Sequence, residues 1–417
     1  MSDTDIEPVE DFRQRLRSWL SESMPEAPPG FGLVIGLESD EEELRQVQRN
    51  RELQRMLFDG GFAGICFPKE YGGQGLSPEH MHAFNEEIVD YEYPARIQIP
   101  TFTPCASVLL EFGTEQQKLD HIPAILKGEE IWMQFLSEPS GGSDVAGALT
   151  TAVRDGDEWI LNGSKIWTTG AWWSDWAICL ARTNWDVPKH RGLSVFILPI
   201  HQPGIDVQRI EMLNGSKEFC QEFIDDVRIP DSDRVSEVDD GWTVGIRWMF
   251  HERSLGHSPY PIRAAGRARG GPGSLLGLAQ KSGRDKDVRG RELVGEAFAL
   301  SRAQGMLGRR IPELISTGKA TDQAAALGKL SAAHGVRQNT ISHELVGSSG
   351  VAWTDDDADL GRHGTGFLMR QTGCIAGGTT EMARNVVSER VMGMPRERAA
   401  DRDIPFRDVE RSAPHKK

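Results

Sequence analysis

Apolar positions recur at helical spacing toward both ends of the chain and at strand spacing in its middle. Val9, Phe12, Leu16 and Leu20 follow steps of three and four, the stripe of an amphipathic helix. A second stripe through Leu44, Leu53, Met56 and Leu57 stops at Gly60-Gly61, a helix-ending signal. Between them APPGFGLVIGL reads as a loop, and the SDEEE that follows as a helix start, because carboxylates favour the positive end of the helix dipole. The helical pattern resumes from Phe84 to Lys127. From residue 131 to 235 β-branched and aromatic residues dominate, and the dipeptides Asp155-Gly156 and Asn162-Gly163 predict hairpin turns needing positive φ. After Gly241 the helical period returns, with Leu327, Leu330, His334, Ile341 and Leu345 expected on one buried helix. GRARGGPGS at 266–274 reads as a loop. The pattern is therefore α+β, with a helical domain over 1–130, a β-domain over 131–235, a helical domain over 236–395 and a charged, weakly ordered tail over 396–417.

A length of 417 residues fits two or three domains, and 38% hydrophobic residues with 45 glycines exclude bulk disorder. The net charge of −15 argues against nucleic acid as a partner. No apolar run approaches the roughly 18 residues of a membrane span, and the acidic N-terminus lacks a signal-peptide core, so a cytoplasmic protein is expected. Cys66, Cys105, Cys179, Cys220 and Cys374 form no CxxC pair and read as buried, reduced thiols. Nine of the 11 tryptophans lie between Trp132 and Trp248, where aromatic weight either fills a core or walls a flat ligand. No GxGxxG or GxxxxGK[ST] follows a predicted strand.

The segment from Gln134 to Gly147, QFLSEPSGGSDVAG, combines hydroxyls and glycines that let backbone amides approach an anion. About twenty residues later comes Lys165-Ile166-Trp167-Thr168-Thr169-Gly170. These two segments, with FPKEYGGQG at 67–75, FGTEQQK at 112–118 and GGTTEMARNVVSERVMGMPRE at 377–397, resemble the acyl-CoA dehydrogenase family over almost the whole chain. The resemblance implies a β-barrel or sandwich middle domain, a C-terminal four-helix bundle, and FAD as cofactor. It implies that Gln134, Leu136 and Ser137 lie against the flavin, Ser143 on the pyrophosphate, Trp167 beside the ring and Thr169 near its hydride-accepting nitrogen. Fixed donors there stabilise the charge that hydride transfer delivers.

Such chemistry needs a base for the thioester's α-proton. Many family members carry a glutamate near the C-terminus, where this chain has Gly377, whose backbone N–H remains a candidate for polarising the thioester oxygen. Other members place the base on an earlier helix before an arginine, and Glu252 followed by Arg253 matches that position. The resemblance thus implies Glu252 as base, with Arg253 and Gly377 toward substrate. His251 and His257 are nearby candidates, but on a helix His251 points about 100° away from Glu252, and both read as residues that either support the site from behind or are structural.

Two family features are changed. The Arg-x-x-Phe-Gly motif that reaches a neighbouring subunit's FAD has no counterpart in LAQKSGRDKDVRGREL at 278–293, and Gly-Gly-x-Gly becomes Gly347-Ser348-Ser349-Gly350. Thr379 and Glu381 remain candidate FAD contacts, while either Arg284 or Arg289, or a related partner chain, replaces the missing half. Arg263, Arg267 and Arg269 are candidates for coenzyme A phosphates. The resemblance implies an acyl-CoA substrate, an electron-transfer flavoprotein as acceptor, and a homodimer or homotetramer, or a hetero-oligomer with a related subunit. Three functions stay open: dehydrogenation of an acyl-CoA to its trans-2-enoyl-CoA, a subunit that completes a partner's site, and an oxidase or monooxygenase of the same family.

Overall fold

In the computed structural model the described residues are 6–28, 39–253, 258–263, 273–352, 358–399 and 401–410. They divide into two units: one runs to Glu211, resumes over Ser216–Gly266 and takes in the chain from Arg398; the other comprises Met212–Gly215 and Arg267–Glu397.

The first unit opens with α1 (Val9–Ser23), which buries Phe12, Leu16 and Leu20 as its stripe requires. In α2 (Asp40–Asp59) the Ser39 hydroxyl accepts the Glu42 amide at 3.2 Å, four acidic residues fill the first turn, and Gly60 caps the end. Leu44, placed on the apolar stripe above, is exposed; Val47, Leu53 and Leu57 form the buried face instead. Helices α3 (Pro78–Glu87), α4 (Ala95–Pro100), α5 (Ser107–Phe112) and α6 (Glu115–Lys127) follow, with a π-helical turn at Thr101–Ala106 between α4 and α5.

Eight strands come next: β1 (Trp132–Phe135), β2 (Thr151–Asp155), β3 (Glu158–Thr169), β4 (Trp176–Arg182), β5 (Leu193–Pro199), β6 (Ile205–Ile210), β7 (Phe219–Pro230) and β8 (Arg234–Val235). They form one mixed sheet in the order β6-β7-β3-β2-β4-β5-β8, with β1 parallel to β4. β2 and β4 meet only at Thr151 and Arg182, so the sheet is two ribbons hinged at one pair, and their inner faces share a core. Asp155-Gly156 does make the β2–β3 hairpin, with Gly156 at φ 65°. Asn162-Gly163 does not: it lies inside β3, where the register against β7 shifts, and Asn162 trades hydrogen bonds with Asp226 (3.0 and 2.9 Å). A Cβ on Gly163 would sit 2.5 Å from Thr150 Oγ1, so close backbone approach explains that glycine. Helix α7 (Gly241–Arg253) returns to this unit, packing Val244 and Trp248 into a core with Trp132, Ile178 and Val195.

The described part of the second unit is helical: α8 (Gly273–Lys281), α9 (Val288–Ser316), α10 (Ala326–Leu330), α11 (Ala332–Val346), α12 (Ala358–Met369) and α13 (Thr380–Val386). Its core draws Leu278, Leu293, Ala297, Ile341 and Leu345 from α8, α9 and α11. The stripe expected on one helix is broken at Ser331, so Leu327 and Leu330 sit on α10 and only Ile341 and Leu345 are buried. Among the described residues no helix is long and apolar enough to cross a membrane.

The tail is not loose over 401–410. Phe406 is 2% exposed, stacks on Trp185 at 5.4 Å and lies 3.8 Å beneath the Arg182 guanidinium, and its amide donates to the Val187 carbonyl at 2.9 Å. One aromatic anchor outweighs the charged composition around it. Phe406→Ala should therefore destabilise the first unit by roughly 3 kcal/mol, read as a lower urea midpoint in tryptophan fluorescence. An unchanged midpoint would mean that the tail contributes nothing.

Candidate active site

The loop after β1 is pinned from beneath at both ends. Glu138, buried, accepts the amides of Leu149 (2.6 Å) and Thr150 (3.0 Å) and a charge-assisted bond from Lys165 Nζ at 2.8 Å. Lys165, 0% exposed on β3, also donates to the carbonyls of Leu136 (3.3 Å) and Leu180 (2.6 Å), so its three N–H groups meet three oxygens. Burial alone would raise the Glu138 carboxyl, but Lys165 above all, with the Leu149 amide and Thr150, outweighs it and holds the group below its ordinary range. At the far end, buried Arg182 donates to the carbonyls of Ala148 (3.0 Å) and Ala146 (2.6 Å), and Lys189 reaches Asp144 at 2.9 Å.

The end of β3 is shaped to expose one ring. The Ile166 amide donates to the Ser137 carbonyl at 3.0 Å, joining loop to strand. Trp167 then takes φ 68° at a second register shift, a conformation that a bulky side chain adopts only when its surroundings force it. Its indole is 51% exposed, edge-on to Phe219 at 5.9 Å, whereas Trp132, Trp159, Trp173 and Trp248 are core residues. Thr168 turns inward and Thr169 outward. Gly170, at φ 66°, has no room for a Cβ, which would lie 2.1 Å from the Trp173 ring. Loop and strand end thus carry half-buried Leu136 and Ser137 with exposed Ser143, Trp167 and Thr169.

Gln134 connects this edge to α7, its side-chain oxygen accepting the indole N–H of buried Trp248. Glu252 lies one turn further on the same face, half-buried, and its charge reaches the Cys105 thiol in the π-helical turn. Burial first, and that charge second, hold the thiol well above its ordinary value. His251 faces elsewhere: it is buried between Ser258 (2.8 Å) and Glu111 (3.1 Å), and burial lowers it to about 4, so it is a neutral structural group. Arg247 pairs with the same Glu111 at 2.5 Å. Arg253 is exposed, and His257 lies outside the described residues. Arg263 is not on a phosphate-facing loop: it is 9% exposed, over the Tyr93 ring at 5.1 Å and donating to the Ile88 carbonyl at 3.3 Å. Arg267 and Arg269 lie outside the described residues.

Gly377, Thr379 and Glu381 belong to the second unit. Gly377 and Gly378 both take positive φ, 66° and 88°, after a turn whose Gly373 and Ala376 carbonyls accept from Lys329. Thr379 caps α13 by accepting the Met382 amide at 3.1 Å, and exposed Glu381 pairs with Arg384 at 3.3 Å. Arg284 pairs with Asp287 at 2.7 Å and Arg289 with Glu344 at 3.0 Å, so both candidates for the missing arginine already have local partners.

Residues 35–129 match the model for the acyl-CoA dehydrogenase N-terminal domain and 134–227 that for the acyl-CoA dehydrogenase middle domain. Acyl-CoA dehydrogenase IpdE1 of Mycobacterium tuberculosis is 31% identical over 395 residues, spanning 94% of this chain and 99% of the relative. The chain belongs to the acyl-CoA dehydrogenase family. Its fold matches the Tcur3481-Tcur3483 steroid ACAD with a TM-score of 0.73 and 26% identity, covering 94% of this chain and 99% of that one. The ChsE4-ChsE5 complex from Mycobacterium tuberculosis shares the fold at a TM-score of 0.67, with 23% identity over 95% and 100% of the two chains.

Members of the family are FAD-dependent oxidoreductases, and the donor set here fits that cofactor. An exposed indole held in a forced conformation beside three hydroxyls and a glycine-rich loop is what a flat ring and a pyrophosphate require. Lys165, Glu138, Arg182 and Glu222 have no role assigned by the sequence alone. Lys165 was detectable, since it falls on the inward register of Trp159 and Leu161, where an unpaired lysine is untenable. Lys165→Met should cost roughly 3–5 kcal/mol by leaving the Glu138 charge unpaired. The pH dependence should also invert. In the wild type the lowered Glu138 carboxyl gives stability that is present above its ordinary 4.5 and lost as pH falls through its folded value. In the variant, Glu138 is raised by burial, and Tm measured from pH 7 down to 3 should rise rather than fall; parallel profiles would refute the pairing.

Proposed function

We propose that the chain catalyses α,β-dehydrogenation of an acyl-CoA thioester to the trans-2-enoyl-CoA, with Glu252 as the base. The observation that carries this reading is the half-buried Glu252 on the face of α7 that the Trp248–Gln134 bond fixes to β1, the strand leading into the loop of Ser137 and Ser143. Bound FAD would supply the acceptor for the β-hydride, and the α-proton needs a carboxylate to take it. Glu252 takes that proton, while Trp167 would shield the ring from water and Ser137, Ser143 and Thr169 would donate to the cofactor. Gln134 and Leu136 would line the ring edge, and the family resemblance also assigns Thr379 and Glu381 to FAD. The family resemblance likewise assigns the Gly377 amide to the thioester oxygen and Arg253 to the substrate. Electrons leave to an electron-transfer flavoprotein.

A glycine at 377 removes a carboxylate and its volume from the acyl pocket, which favours a branched or ring-bearing acyl group; the steroid ACAD similarity supports the same class. A second reading concerns assembly. The family arginine motif is absent from 278–293 and the structural relative carries a paired designation, which supports a hetero-oligomer whose related subunit completes the FAD clasp.

The purified chain, alone or co-expressed with a related subunit, should be yellow and should bleach anaerobically with a bulky acyl-CoA. Glu252→Gln should retain the flavin yet bleach roughly 10²–10⁴-fold more slowly. Full activity in the variant would remove Glu252 from the mechanism. Oxygen uptake without an added acceptor would make the enzyme an oxidase instead.

A further inference from the structure

Beneath the Trp167–Thr169 edge, one hydroxyl stands between two oxygens. Thr168 Oγ1 lies 3.3 Å from the Gln134 carbonyl oxygen and 3.0 Å from Glu222 Oε2. A threonine hydroxyl has a single proton and can donate to only one of them. The carbonyl has no hydrogen to offer, so the second bond requires one from Glu222. Lys165, the cross-strand partner of Glu222, cannot supply it, because its three N–H groups are committed to Leu136, Glu138 and Leu180. Glu222 is 0% exposed, and its Oε1 has no hydrogen-bond partner among the described residues, a state far costlier for a carboxylate than for a neutral acid.

We propose that Glu222 is a neutral carboxylic acid whose proton completes a relay through Thr168 to Gln134, and that this relay is a pH-sensitive positioning device for the Trp167–Thr169 edge. Its bearing on FAD rests on the functional reading above; its protonation does not. The relay ties β7 through β3 to β1 at the point where Trp167 is forced to φ 68°. Gln134 then continues the connection to Trp248, on the helix that bears Glu252.

The charged and titratable groups around Glu222 leave it the one that responds near neutrality. Lys165 and Glu138 neutralise each other from β3 and the loop. Burial holds the Cys179 thiol of β4 at about 12 and the Cys220 thiol of β7 at about 11. Arg209 of β6 is paired with Asp40 (2.5 Å) and Glu43 (2.7 Å). Burial pushes the Glu222 carboxyl from its ordinary 4.5 up to about 8, against smaller opposing effects of nearby donors and of the Lys165 charge. Between those values the folded chain holds a proton that the unfolded chain has released. The contribution is therefore greatest at low pH and lost as pH rises through about 8.

The deciding variant is Glu222→Gln, whose amide donates to Thr168 as the acid does but cannot ionise. Tm and FAD dissociation, followed by flavin fluorescence, are compared for the two proteins between pH 7 and 9.5. In the wild type Tm should fall and the FAD Kd rise about tenfold, whereas the variant should change by no more than about twofold. Parallel profiles would overturn the proposal. Infrared spectroscopy of the wild type gives a second, independent reading: a protonated-carboxyl band present at pH 7 and lost by pH 9.5 is expected, and its absence at pH 7 would overturn it. A chain that binds no FAD at any pH would refute the functional reading, while Tm and the infrared band would still decide on Glu222.

Discussion

The ion pair between Lys165 and Glu138 is the constraint on which the site is built. A buried pair of this kind adds little net stability over an apolar replacement, since desolvation consumes most of its Coulombic gain. Its value is geometric. Through Lys165 the loop's Leu136 carbonyl, the Glu138 carboxylate and the Leu180 carbonyl of β4 converge on a single ammonium, and Glu138 turns the loop back on itself at Leu149 and Thr150. Arg182 does the same for the loop's other end, with Phe406 stacked beneath it. A glycine-rich segment that is otherwise free to sample many conformations is thereby held ready, so that little ordering remains to oppose ligand binding.

That preparation accounts for the contrast along β3. Inward positions hold Trp159, Leu161 and Lys165; the register then slips, Trp167 is forced outward, and Thr168 takes over the inward row. One inserted residue converts a strand edge into a display of indole and hydroxyl. The same slip aligns Thr168 with Glu222 and Gln134, so the strain at Trp167 is braced by buried polar groups rather than by apolar packing alone.

Much of the architecture was legible in the chain. The α1 stripe, the acidic start of α2 and the Asp155-Gly156 hairpin follow from local rules that the tertiary structure leaves intact. Asn162-Gly163 carries an equally good turn signal, yet β3 runs through it, because pairing with β7 opposite Asp226 and contact with Thr150 decide the path. The tail's composition concealed Phe406 for a similar reason: burial of one ring depends on what it meets, here Trp185 and Arg182. The motif resemblance singled out Trp167, Thr169 and Glu252 as candidates. Glu222 carried no such signal, because a charged residue in a strand reads as solvent-facing until the register is known.

Hydrogen–deuterium exchange of the chain with and without FAD bears most directly on the central claim that this pinned loop and the end of β3 form the cofactor cradle. Protection should concentrate in residues 137–149 and 166–170, with the rest of β3 changing little. Protection confined to other segments, or none at saturating FAD, would contradict it.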